Sequence, residues 1–129
     1  MPVLTGDDRR RHIRVQVELP AEIRKLAKKE GGFIPNGPVF NAGKVRNISA
    51  GGAQLFSFQP LDLGRYVRLA FNLPETGAAS FLCGIVYAQA ERDFKGREHF
   101  IYGLNFLGVD DEQRSHLLCF VLENQLKKR

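Results

Sequence analysis

Apolar and polar residues alternate strictly from Ile13 to Leu19, with Ile13, Val15, Val17 and Leu19 apolar and Arg14, Gln16 and Glu18 polar. A period of two places successive side chains on opposite faces, so this stretch reads as a half-buried strand. Pro20 interrupts the ladder and implies an edge or a bulge, after which Ala21 and Ile23 resume it. The same alternation returns at Val67, Leu69 and Phe71, and at Phe81, Cys83, Ile85 and Tyr87. A weaker strand is predicted over Val39–Val45, and further strands over Ala53–Phe58 and about His99–Leu107. Between them lie turn formers: Lys28–Pro38 (KKEGGFIPNGP) reads as a long hairpin loop, Asn47–Gly52 (NISAGG) as a tight turn, Leu73–Gly77 as a turn, and Glu91–Glu98 as a charged loop. Short strands joined by turns, with no helical pattern among them, imply an antiparallel barrel or sandwich.

The period changes only near the end. Asp110 and Gln113 form a capping-box pattern, followed by Leu117, Leu118, Val121, Leu122 and Leu126 at three- and four-residue steps. This predicts one C-terminal helix with those leucines and valine facing the barrel, and with basic residues in its last turn. With 129 residues the chain holds one core, and no linker or repeat divides it. Residues 1–12 carry polar turn formers and then arginines, and are predicted to be a flexible arm ahead of a domain over 13–129.

The net charge of +5 favours anionic partners without demanding nucleic acid. Cys83 and Cys119 sit in apolar surroundings and read as reduced core thiols. Residues 1–8 have no apolar core of a secretion signal, and no stretch is apolar for long enough to span a membrane. A cytoplasmic protein without membrane insertion is expected.

Two clusters carry the functional chemistry. Arg9-Arg10-Arg11-His12-Ile13-Arg14 reads by itself as a solvated basic arm. It also reads as an anion clamp, because the planar arginine fork can hold a phosphate, grip guanine O6 and N7, or stack on a purine. Asn47-Ile48-Ser49-Ala50-Gly51-Gly52 reads by itself as a β-turn. It also places an amide, a hydroxyl and a close-approach glycine within six residues.

Together these clusters resemble the PilZ family, whose members carry R-x-x-x-R before the first barrel strand and [D/N]-x-S-x-x-G some way after it. Arg10 and Arg14 match the first motif, Arg9 extends it, and Asn47, Ser49 and Gly52 match the second. The likeness continues through LGRYVRLAFNL (63–73), YGLNFL (102–107) and the terminal helix. The resemblance implies a six-stranded antiparallel β-barrel with a C-terminal α-helix. It implies a non-enzymatic receptor for cyclic di-GMP that changes conformation and signals to a protein effector, with no cofactor besides that ligand. Arg9, Arg10, Arg14, Asn47, Ser49 and Gly52 are the expected ligand-binding residues.

Three other readings compete. An enzyme is disfavoured: Ser49 lacks a G-x-S-x-G elbow, and His12, His99 and His116 lack metal-ligand spacing. A small-barrel nucleic-acid binder would need surface aromatics along a basic groove, whereas most Phe and Tyr fall in phase with core positions, Phe33 and Phe94 excepted. A PilZ-like adaptor working by protein contacts alone is the remaining reading, although adaptors of that kind lack the arginine motif that this chain keeps.

Overall fold

The computed structural model describes residues 14–74 and 77–127. Six strands run β1 (Val15–Lys29), β2 (Gly32–Ile48), β3 (Gly52–Ser57), β4 (Tyr66–Leu73), β5 (Gly77–Arg92) and β6 (Glu98–Leu107), followed by α1 (Asp111–Lys127). All pairings are antiparallel, and the order β1-β2-β3-β6-β5-β4 closes on itself. A closed barrel leaves no sheet edge along its wall, and alternate residues fill its interior.

Alternation decides which residues those are. Along β4, Val67, Leu69, Phe71 and Leu73 point inward and are buried, while Arg68 and Asn72 are exposed. Ile23, Val45, Ile48, Leu55 and Cys83 meet them in the interior. Burial pushes the Cys83 thiol up to about 12, which keeps it protonated and inert. The segment between β3 and β4 folds back onto the barrel, contributing Leu63 to the core, and Leu61 N donates to Tyr102 Oη at 2.7 Å.

The capping box forms as the sequence predicts: Gln113 N donates to Asp110 Oδ1 at 2.7 Å, and Asp110 N to Gln113 Oε1 at 3.4 Å. The Gln113 amide also donates to Ser80 O at 2.7 Å, pinning α1 to β5. Among the described side chains of α1, which end at Glu123, the buried stripe is Leu117, Phe120 and Val121, and the predicted Leu126 lies outside them. Leu118 and Leu122, predicted on that face, are 43% and 50% exposed, and Cys119, predicted as a core thiol, is exposed beside them. Over these residues the helix touches the barrel along a stripe narrower than its apolar side chains span.

The largest departure is at 28–38, where the predicted loop is strand. Lys29 pairs with Gly32, Lys28 with Phe33, Ala27 with Ile34 and Leu26 with Pro35, leaving a turn of only Glu30 and Gly31. β2 meets β3 only from Lys44 onward, so Pro35 and Pro38 lie where β2 has no neighbour on its other side and a missing N–H breaks no bond there. Pro20 behaves as predicted: it lies between two register shifts, one residue before β1 begins to pair with β4 at Ala21. Likewise only the middle of 91–98 is a loop, since Glu91 pairs with His99 and Arg92 with Glu98. There Asp93 accepts from the Lys95 and Arg97 amides and the Arg97 side chain, and these bonds hold its carboxyl below the usual range.

Candidate functional site

The β2–β3 turn owes its shape to Ser49. Its amide donates to Gly52 O at 2.9 Å, while its buried hydroxyl accepts from Gly51 N at 3.2 Å and donates to Gly52 O at 3.4 Å. Both sides of the hydroxyl are spent on the turn, so Ser49 sets backbone shape. Gly51 O in turn accepts from Phe106 N at 2.9 Å, tying the turn to β6.

Gly52 is required by contact. A Cβ there would fall 2.2 Å from Leu104 O and 3.3 Å from Leu104 C, and its φ lies outside the left-handed region. The glycine lets β3 lie close against β6; it does not serve an unusual turn angle, which the tight-turn reading left open.

Ile48 points into the core, so Asn47 points out. Pairing then lines up a row across four strands: Asn47 opposite Gln54, Gln54 opposite Gly103, and Gly103 opposite Tyr87. Asn47 Nδ2 donates to Gln54 Oε1 at 2.9 Å, and Gln54 Nε2 donates to Tyr87 Oη at 3.0 Å. Tyr87 reaches that far because Gly103 has no side chain: its ring occupies the space a Cβ would fill, 2.1 Å from that position.

These groups floor an open cleft of about 880 Å³. Arg14, just ahead of β1, and Arg114 and Leu118 of α1 also line it. Among the described residues that line it, both charged side chains are arginines and none is a carboxylate. The cleft is therefore cationic, with amide and hydroxyl donors and acceptors on its floor and apolar walls at Val86, Val109 and Leu118. Its volume falls in the range of small-ligand sites. Of the expected binding residues, Arg14, Asn47, Ser49 and Gly52 converge here, and Arg9 and Arg10 lie outside the described residues, as does the predicted arm at 1–12. Sequence reasoning missed Gln54, Tyr87, Gly103 and Arg114. Gln54 was within reach, since folding the chain back about the turn puts it opposite Asn47; the other three depend on the β5–β6 register and on where α1 docks.

The sequence matches the PilZ domain profile over residues 8–123. The chain belongs to the PilZ domain family. PilZ domains are generally non-catalytic receptors, and the family is one of cyclic di-GMP receptors. A comparison with curated protein sequences gave no match.

Solved PilZ structures share the fold. The PilZ domain of YcgR from Escherichia coli, solved with c-di-GMP, is 17% identical with a TM-score of 0.65, over 94% of this chain and 95% of that one. The inhibitor of motility MotI/DgrA of Bacillus subtilis is 23% identical with a TM-score of 0.66, over 94% of this chain and 53% of that one. MrkH of K. pneumonia, in its c-di-GMP complex, is 14% identical with a TM-score of 0.68, over 92% of this chain and 53% of that one. This PilZ chain thus spans about half the length of the MotI and MrkH chains. Among its described residues no group of His, Cys, Asp and Glu could hold a metal ion, and no helix is long and apolar enough to cross a membrane.

Proposed function

We propose that this PilZ domain is a receptor for cyclic di-GMP and that the cleft at the β2–β3 turn takes the ligand. The observation that carries the reading is the convergence of Arg14 with Asn47, Ser49 and Gly52 on one cationic cleft, although the two motifs are far apart in sequence. The ligand has two phosphates and two guanines, so it calls for cations, planar bidentate donors and a backbone it can approach closely. Arg14, together with Arg9 and Arg10 from the chain just before it, supplies guanidinium groups to phosphate and to guanine O6 and N7. Asn47 meets a guanine edge from the barrel side. Ser49 and Gly52 act by holding the turn in place, which keeps its amides where a ligand can meet them. Charge-assisted bonds of about 1.5–3 kcal/mol each support micromolar or tighter binding after ordering costs.

Occupancy is signalled to a protein effector through the ligand's bridge between Arg14 and the barrel, a change that a partner reads. The test is calorimetric titration of the chain with cyclic di-GMP, with cyclic di-AMP, GMP and a linear oligoribonucleotide as comparisons. Saturable binding of cyclic di-GMP, with its stoichiometry, is the expected result. No heat and no competition would leave the adaptor reading; length-dependent, salt-sensitive binding of the oligoribonucleotide would favour the nucleic-acid reading.

A further inference from the structure

The outer face of β1 and β4 presents a cationic surface away from the cleft. Ile23 and Leu69 point inward, so Arg24 and Arg68, which are paired with each other, both point outward. Like charges directly opposite each other across a ladder destabilise it. Edge protection does not explain this pair, because β1 is flanked here by β2 and β4 on both sides. Arg24 is partly held by its Nε bond to Gly37 O at 2.9 Å, which fixes its guanidinium over the β2 irregularity. Among the described residues Arg65, Arg68 and Lys28 have no ion-pair partner, and Glu22, one row away on the same face, pairs with none of them.

The cations surround an aromatic and aliphatic centre. Tyr66 and Phe33 pack with ring centroids 4.9 Å apart, Arg65 lies 5.9 Å over the Tyr66 ring, and Val39, opposite Arg24, is 53% exposed. Arginine and aromatic residues at the centre of a patch are the composition of protein contact surfaces. A nucleic acid needs open ring faces on which bases stack, whereas Tyr66 and Phe33 are only half-exposed and pack on each other; a lipid surface takes up a larger apolar area than the exposed Val39 offers.

We propose that this face of β1, β4 and the extended hairpin docks a protein segment that presents carboxylates beside aliphatic side chains. The carboxylates fall between Arg24 and Arg68 and offset the repulsion that the free domain carries, while the aliphatic groups settle on Tyr66, Phe33 and Val39. None of these residues lines the cleft, so partner docking and ligand binding occupy different surfaces.

The test uses a fluorescently labelled peptide alternating glutamate with valine, its lysine–valine counterpart, phosphatidylglycerol vesicles and oligothymidylate. Titration of the 15N-labelled chain should shift amides of β1 and β4 with the acidic peptide, and raising salt should weaken the complex. Arg68→Gln should weaken peptide binding by about tenfold while melting at the same or a higher temperature, because it also removes the like-charge pair. Arg65→Glu should weaken binding similarly, and cyclic di-GMP titration should be unchanged in both variants. Binding by Arg68→Gln equal to that of the parent chain, shifts confined to the cleft or α1, or stronger binding to the vesicles or the oligothymidylate would each overturn the proposal.

Discussion

The β2–β3 turn and the β1–β2 hairpin are written in nearly the same residues, glycine, asparagine and small or kinked neighbours, yet they do opposite things. At the turn, Gly52 sits hard against the β6 backbone and Ser49 is buried with its hydroxyl committed. At the hairpin tip, Gly31 has φ of 89° with nothing within 4 Å of its Cβ position, and Gly32 to Pro38 are mostly exposed. One set of glycines lets two strands touch; the other lets the chain reverse in open solvent. Composition marks both as irregular, and only contact separates them. The turn is consequently rigid and fit to shape a site, whereas the hairpin arms project a face.

The same substitution at the two glycines should break this symmetry most visibly. Gly52→Ala is expected to lower stability in urea unfolding by about 3 kcal/mol, since the Cβ meets a backbone carbonyl that cannot move without opening the β3–β6 ladder. Gly31→Ala should cost only about 1–2 kcal/mol, the strain of a left-handed alanine with free space around it. Equal unfolding midpoints for the two variants would show that contact is not what distinguishes them.

Ligand affinity sharpens the contrast next. Arg14→Ala should weaken cyclic di-GMP binding by about tenfold or more, roughly 1.4 kcal/mol, with the melting temperature nearly unchanged because Arg14 is exposed. Lys29→Ala, at the hairpin tip, should leave calorimetric affinity as it was. Loss in both would mean that general charge, and not the cleft, holds the ligand. A smaller effect belongs to Ser49→Ala, which should cost about 1 kcal/mol of stability by leaving turn groups unpaired, and should affect binding only through that loosening. The smallest is Tyr87→Phe: it removes the acceptor of the Gln54 amide at a half-exposed site, so a stability loss of about 0.5 kcal/mol is expected in thermal melts. A larger loss would show that the Asn47–Gln54–Tyr87 row braces the barrel as well as flooring the cleft.

Much of this protein is legible in local pattern. Alternation in β1, β4 and β5 marks the barrel staves, because a strand turns each successive side chain through half a revolution whatever surrounds it. Asp110 and Gln113 mark the start of α1 for an equally local reason, the reach of two side chains to nearby amides. The spacing within N-x-S-x-x-G marks a turn whose hydroxyl and amides close on one another. Everything that depended on distant chain meeting distant chain had to wait for the tertiary structure. Glycine- and proline-rich 32–38 became strand because β1, its neighbour in sequence, offers it a ladder and the distant Tyr66 offers Phe33 a ring. Leu118 and Leu122 stayed outside because the barrel covers a stripe only as wide as Leu117, Phe120 and Val121. Tyr87 entered the cleft because Gly103 opposes it, and Arg114 because α1 docks there. Covalent geometry sets the period of a segment, but burial and pairing, summed over residues far apart in the chain, decide which face is covered and which side chains meet.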